Sequence, residues 1–253
     1  MSGAGRRLAA PLAVLALAGG LALAVLTAAP PATAQGPDEL AERRQRMVEE
    51  QIRGRGIRQP EVLRAMAEVP RHRFVPEALR EEAYEDKALP IEYGQTISQP
   101  YIVALMTELL DLSGDEKVLE IGTGSGYHSA VLARIADEVY SIEIIEPLGR
   151  RAETRLRYLG YGKVQVRIGD GYAGWPQQKP FDAIILTAAP PRLPEPLFEQ
   201  LKVGGRMVVP VGDYLQDLLL IVKNRDGSRT SKRIAPVVFV PMTGEVQQKE
   251  GRP

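Results

Sequence analysis

A short apolar strand that runs directly into a glycine-rich loop is the feature that most constrains this chain. Residues 118–127 read Val-Leu-Glu-Ile-Gly-Thr-Gly-Ser-Gly-Tyr, and a helical pattern of apolar residues follows them. Gly122, Gly124 and Gly126 carry no Cβ that would hold a ligand away from the backbone, and the first turn of the helix offers unpaired N–H groups. The pattern predicts a strand, loop and helix that bind a nucleotide-like ligand.

The loop departs from the phosphate-binding patterns in ways that narrow the choice of ligand. A dinucleotide fingerprint needs glycine at the sixth position of Gly-x-Gly-x-x-Gly, where this chain has Tyr127, and no Gly-Lys-Ser/Thr sequence follows to form a Walker loop. Glu120 places an acid beside the loop, which repels phosphate and suits a cation. S-adenosylmethionine carries an ammonium and a sulfonium, so it is the predicted cofactor, and Thr123 is among the loop residues predicted to contact it.

Two further acids lie where a nucleoside-binding fold places its ligands. Glu143 ends the next predicted strand, about twenty residues after Gly122, the usual position of the acid that accepts hydrogen bonds from ribose hydroxyls. Asp170 follows a third predicted strand, is followed by Gly171, and is predicted to receive the adenine amino group. Each acid alone could be a solvated carboxylate at a strand end, but their combined spacing favours a cofactor site.

Alternating strand and helix patterns predict an α/β fold with a doubly wound, mostly parallel, Rossmann-like sheet. The predicted strands cover residues 117–121, 139–143, 164–168, 181–187, 206–211, 218–223 and 234–240. The last two strands flank a turn signal at residues 224–227 and are predicted to form an antiparallel hairpin. The predicted division is an N-terminal helical cap over residues 35–112, a cofactor-binding domain over 113–245 and a tail over 246–253.

Charge and composition exclude several classes of function. The 253 residues carry 32 basic and 32 acidic side chains, so there is no electrostatic case for a nucleic-acid partner. Cysteine is absent, which excludes thiolate nucleophiles and Cys-based zinc sites, and two histidines are too few for a histidine-rich metal centre. We therefore predict no metal site, and we predict a packing or capping role for His128.

The first 34 residues have the composition of a secretory signal. Arg6 and Arg7 precede an apolar run over residues 8–29, and Ala32-x-Ala34 follows as a cleavage site that makes Gln35 the first residue of the mature chain. This pattern predicts export to a periplasmic or extracellular location, with no stable membrane association after cleavage. An uncleaved membrane anchor stays open as an alternative, because the apolar run approaches the length of a spanning helix.

Several motifs resemble those of one enzyme family. Residues 118–127 resemble the first motif of class I S-adenosylmethionine-dependent methyltransferases, and Gly94-Gln-Thr-Ile-Ser-Gln-Pro-Tyr101 resembles the substrate motif of the protein-L-isoaspartate O-methyltransferases. Further blocks that resemble this family follow in the expected order at residues 169–171, 181–184, 201–206 and 239–243. The resemblance covers about residues 47–243.

The resemblance implies methyl transfer to the free α-carboxylate of L-isoaspartyl residues in damaged proteins and peptides. A carboxylate has a pKa near 4, so it is an anionic nucleophile at neutral pH and requires no general base. The family pattern makes Ser98, helped by Thr96, the residue that orients this carboxylate. It assigns cofactor contacts to Gly122, Gly124 and Gly126 for the methionine part, Glu143 for the ribose, Asp170 with Gly171 for the adenine, and Thr243 as a closing residue.

Three alternatives stay open from the sequence. The chain could be a class I methyltransferase with another substrate, or a cofactor-binding relative that has lost catalysis. Ser98 by itself could be the N-cap of the following helix. The resemblance also implies a monomer and, as the alternative to export, the cytoplasmic location usual for the family.

Overall fold

The structure is a computed structural model that describes residues 37–249, and its N-terminal part is mainly helical. The predicted signal segment, residues 1–34, and residues 250–253 of the predicted tail lie outside the described residues. The N-terminal helices are α1 (Pro37–Arg46), its π-helical and 3-10 continuations (Met47–Ile52 and Arg53–Arg55), α2 (Pro60–Glu68) and α3 (Pro100–Leu110). Between α2 and α3 lie 3-10 turns at Arg71–Arg73, Glu77–Glu82 and Glu92–Gly94, and an antiparallel pair formed by β1 (Leu89–Pro90) and β2 (Thr96–Ile97).

A seven-stranded sheet follows, with helices between its parallel strands. Its strands are β3 (Lys117–Ile121), β4 (Glu138–Glu143), β5 (Val164–Ile168), β6 (Phe181–Leu186), β7 (Leu201–Val211), β8 (Gln216–Lys223) and β9 (Arg229–Val237). The helices of this part are α4 (Tyr127–Ala133), α5 (Glu146–Tyr158), α6 (Glu195–Glu199) and α7 (Glu245–Lys249).

The strand order β5-β4-β3-β6-β7-β8-β9 confirms the predicted doubly wound sheet. Strands β3 to β7 pair in parallel, β8 pairs antiparallel with β7, and β9 pairs antiparallel with β8. The chain winds outward from β3 in one direction and then returns to β6 on its other side, so the sheet has a switch point between β3 and β6. Ligands in such sheets bind outside the carboxyl ends of the strands at this point.

The central strand β3 is buried on both faces, which explains its almost continuous apolar sequence. Val118 packs into a cluster that also contains Met47 and Phe74 of the N-terminal part, whereas Leu119 and Ile121 pack into a second cluster on the opposite face. Alternate side chains of a strand point to opposite faces, which produces this division. The predicted boundary between residues 112 and 113 therefore does not separate two hydrophobic cores.

Several predicted bounds differ from the structure, mostly where distant residues set the end of a strand. β7 begins at Leu201 rather than Arg206 because Leu201 pairs with Phe181. β9 ends at Val237 rather than 240, because the backbone of Phe239 leaves the ladder and binds the side chain of Gln216. The predicted tail begins with part of helix α7, whose Val246 is buried in the second cluster.

Candidate active site

An open cavity lies at the switch point of the sheet. Together with the open solvent at its mouth, the space measures about 870 Å³. Four segments contribute most of its wall: residues 95–98 of the substrate loop (94–100), residues 122–125 of the glycine loop (122–126), residues 142–145 at the end of β4, and the C-terminal segment (240–243). The substrate motif and the cofactor motif of the sequence therefore meet in one cavity.

The three glycines of the glycine loop are required for different reasons. All three have positive φ, 99° at Gly122, 54° at Gly124 and 87° at Gly126. A Cβ on Gly122 would collide with the hydroxyl oxygen of Thr187, and a Cβ on Gly126 would press against Leu156. A Cβ on Gly124 would meet only Ile91, at 3.8 Å. Gly122 and Gly124 line the cavity, whereas Gly126 is buried at the start of α4, so its cofactor contact stays a prediction.

Glu143 connects the glycine loop to the end of β4. Its Oε2 accepts a hydrogen bond from the N–H of Gly124 at 2.8 Å, and its Oε1 accepts one from the N–H of Ile145 at 3.0 Å. The side chain is buried but lines the cavity. Each carboxylate oxygen can accept a further hydrogen bond, so the position is suited to ribose hydroxyls.

Glu120 lies beneath the glycine loop rather than beside the ligand. The side chain is fully buried, and its Oε2 accepts hydrogen bonds from the hydroxyls of Ser141, at 2.6 Å, and Ser129. Desolvation raises the pKa of Glu120 to about 7. The predicted cofactor contact is corrected: in β3 this side chain points to the face covered by α4. The hydroxyl of Thr123, whose residue does line the cavity, reaches Ser141 Oγ at 2.6 Å and so connects the loop to the Glu120 network.

Asp170 also does not line the cavity, although its neighbour Gly171 does. Its Oδ1 accepts a hydrogen bond from the N–H of Tyr172 at 2.8 Å, and its Oδ2 accepts one from the N–H of Glu245 at 2.6 Å. Glu245 opens helix α7, so Asp170 fixes the chain just after the C-terminal segment. Asp170 therefore has an anchoring role, close to the cavity wall that Gly171 and Thr243 form, and its adenine contact stays a prediction.

Ser98 and Thr96 line the cavity with hydroxyls that have no hydrogen-bond partner in the described part of the chain. Among residues 37–249, neither hydroxyl forms a hydrogen bond, and both residues are at least partly exposed. The N-cap position of α3 is occupied by Gln99 and not by Ser98, which removes the capping alternative. Both hydroxyls are available to a ligand carboxylate.

His128 is a cavity residue that the sequence interpretation assigned to packing or capping. It is buried, and its Nε2 lies 3.0 Å from the hydroxyl oxygen of Thr107. Because that hydroxyl donates its proton to the carbonyl of Val103 at 2.8 Å, Nε2 must be the protonated nitrogen and Nδ1 an acceptor. Desolvation lowers the pKa of His128 to about 3, so the ring is neutral at physiological pH.

Other cavity residues carried no signal of their own in the sequence. Thr187 follows β6, and its hydroxyl donates to the carbonyl of Gly122 at 2.6 Å. Ile144 and the C-terminal segment, residues 240–243, add apolar surface. Only Thr243 of that segment was predicted. Its neighbours could have been predicted too, if the whole family-like block at residues 239–243 had been assigned to the cavity wall.

The sheet order, the glycine loop at the switch point and the acid at the end of β4 define a class I methyltransferase fold. The sequence matches the family of protein-L-isoaspartate(D-aspartate) O-methyltransferases over residues 42–247. The chain belongs to this family.

Individual relatives agree with this assignment. Protein-L-isoaspartate O-methyltransferase 1 of Nitrosospira multiformis is 59% identical over 205 residues, 79% of this chain and 87% of that protein. The corresponding enzyme 2 of Polaromonas sp. is 57% identical over 186 residues, 73% of this chain and 88% of that protein. A solved structure of a protein-L-isoaspartate O-methyltransferase has a TM-score of 0.72 and 30% identity, over 81% of this chain and 67% of that one. A Plasmodium falciparum structure in complex with S-adenosyl-L-homocysteine shares the fold, with a TM-score of 0.68 and 24% identity over 79% of this chain and 98% of that one.

Proposed function

We propose that this chain transfers the methyl group of S-adenosylmethionine to the free α-carboxylate of L-isoaspartyl residues in damaged proteins and peptides. The observation that carries the proposal is the single cavity in which Ser98 and Thr96 of the substrate loop and Gly124 of the glycine loop form parts of one wall. Family membership supports the same reaction. When bound, S-adenosylmethionine supplies an electrophilic methyl group on a sulfonium.

The residues of the cavity fit this cofactor. The space above Gly124 is open, the Glu143 carboxylate offers acceptors for ribose hydroxyls, and the wall around Ile144 and Met242 is apolar. Gly122, Thr123, Gly171 and Thr243 complete the proposed cofactor side.

On the substrate side, the task of the protein is orientation. The hydroxyls of Ser98 and Thr96 donate hydrogen bonds to the substrate carboxylate and direct one oxygen toward the methyl group. The neutral ring of His128 does not act as a base, because the nucleophile is already ionised. Positioning and exclusion of water therefore provide the catalysis.

Methylation of paired peptides tests the proposal. A purified chain from Gln35 onward should transfer labelled methyl groups to an isoaspartyl peptide and not to its aspartyl twin. Equal labelling of both peptides would favour a methyltransferase with a broader substrate range. Failure of S-adenosylhomocysteine to bind in calorimetry would favour the non-catalytic alternative.

We also propose that the mature enzyme is exported and monomeric. The signal-like pattern of residues 1–34 and the cleavage motif before Gln35 support export. Within residues 37–249, no helix combines the length and apolar character needed to cross a membrane. Amino-terminal sequencing of the native protein should begin at Gln35, and sedimentation should give the mass of one chain. An intact Met1 would favour the anchored or cytoplasmic alternative.

A further inference from the structure

Three strongly exposed apolar side chains, which we name the apolar rim, lie in two segments: Tyr214 and Leu215 in the turn between β7 and β8, and Val238 directly after β9. Their exposed fractions are 99%, 92% and 94%. Among the large apolar residues of 37–249 that are exposed, these three have the highest values, and the next is Tyr158 at 79%. Single exposed apolar residues need no explanation, but a contiguous group indicates an interaction site.

The three residues lie at one end of the β8–β9 pair. Gln216, the first residue of β8, pairs with Val237, the last residue of β9. Leu215 and Val238 are therefore the first residues beyond this end of the pair. Tyr214 precedes Leu215 in the same turn, which extends the surface.

Hydrogen bonds join the turn that carries Tyr214 and Leu215 to two neighbouring segments of the chain. The N–H of Gly212, at the start of the turn, donates to the carbonyl of Pro190 at 3.0 Å. Gln216 binds both backbone groups of Phe239: its Nε2 donates to the carbonyl at 3.0 Å, and its Oε1 accepts from the N–H at 2.6 Å. Val238 therefore leads directly into Val240 and Pro241, which line the cavity. Val238 thus belongs to the same segment as this part of the cavity wall, and the two Gln216–Phe239 bonds hold the neighbouring Leu215 close to that segment.

Resting on the proposed function, we infer that the apolar rim binds apolar side chains of the substrate polypeptide that flank the isoaspartyl residue. A substrate residue within a polypeptide must bring its neighbours to the mouth of the cavity, and the apolar rim continues the wall there. Three side chains offer much less than the ~1,200 Å² that a specific protein interface usually buries, which disfavours a second copy of the chain as the occupant. Asp213 in the same turn disfavours an anionic lipid surface.

Peptide length separates this role from methyl transfer itself. The substrates are an isoaspartyl tetrapeptide and a dodecapeptide with central isoaspartate and leucine, valine and phenylalanine on both sides. The double variant Tyr214→Ser/Leu215→Ser should raise the KM for the dodecapeptide about tenfold, as expected from losing one well-buried apolar contact, and leave kcat within about twofold. The KM for the tetrapeptide should stay within about twofold. Tyr158→Ser, at the far end of α5, is the matched control and should leave the KM for both peptides unchanged.

Several results would overturn the inference. An unchanged KM for the dodecapeptide would remove the apolar rim from substrate binding, and an equal loss with both peptides would indicate damage to the cavity. If the unsubstituted chain self-associates in sedimentation or binds vesicles, and the double variant loses that behaviour, the apolar rim binds a second copy or lipid instead. If the unsubstituted chain methylates neither peptide, the proposed function fails as well, and this outcome is distinct from a loss confined to the variant.

Discussion

Replacing Glu120 by glutamine should change how the stability of the protein depends on pH. The carboxyl group is fully buried beneath the glycine loop, and desolvation raises its pKa from the ordinary 4.5 to about 7. A group with a raised folded-state pKa contributes stability below its unfolded pKa, and this stability is lost as the pH rises through the folded value. The loss therefore develops between pH 4.5 and about 7 and amounts to about 3 kcal/mol.

The glutamine variant isolates this effect from other titrations. His128 and His72 have pKa values lowered to about 3 and about 4, so they stabilise the fold as the pH rises through the same range. These opposing contributions are common to both proteins and cancel in the difference between them. Glutamine also places an amide N–H₂ where Glu120 Oε1 has no partner, which costs about 1–3 kcal/mol at every pH.

The measurement is urea unfolding of the unsubstituted chain and the Glu120→Gln variant, each from Gln35 onward, at pH values from 4.5 to 8. The free energy of unfolding of the variant, relative to the unsubstituted chain, should increase by about 3 kcal/mol across this range. The pH-independent cost of the amide shifts the whole curve without changing its slope. A flat difference would refute the assignment of Glu120 as a buried acid that ionises near neutral pH.

Four further substitutions test the site. Ser98→Ala should lower kcat about tenfold to a hundredfold, the worth of a hydrogen bond to a charged group, while S-adenosylhomocysteine affinity in calorimetry stays within about twofold; unchanged kcat removes Ser98 from the mechanism. Gly122→Ala should cost about 2 kcal/mol or more in urea unfolding because of the Thr187 collision, and Gly124→Ala clearly less, so equal costs would contradict the packing argument. Asp170→Ala should release α7, increase proteolysis after residue 243 and weaken cofactor binding; intact protection would show that the Glu245 contact is dispensable.

The sequence predicted the parts of the fold that local patterns determine. β3 and β5 have their predicted bounds, because each is a short β-branched or apolar run between clear turn signals. The switch-point cavity also follows from sequence, since parallel strands bring their carboxyl ends to one edge. Partners far apart in the chain account for the errors. Leu201 pairs with Phe181 and Gln216 binds Phe239, and neither contact leaves a local pattern.

The acids show the same limit at the candidate site. All three stand at or near a strand end, yet only Glu143 lines the cavity. Glu120 lies two residues before the loop, on the face that α4 covers, and its serine partners come from α4 and β4. Asp170 binds the N–H of Glu245, 75 residues later. Spacing from the glycines could place these acids near the site, but it could not determine which of them lines the cavity.

The burial of Glu120 and His128 has a common consequence for catalysis. Burial raises the pKa of Glu120 to about 7 and lowers that of His128 to about 3, so in both residues it favours the uncharged form. Transfer of a methyl group from a sulfonium to a carboxylate cancels two opposite charges. Few competing charges and little water at such a centre strengthen the attraction between the reactants and reduce the solvent reorganisation that the reaction requires. The cavity therefore needs polar groups that orient the carboxylate, the role proposed for Ser98 and Thr96, more than it needs a group that exchanges protons.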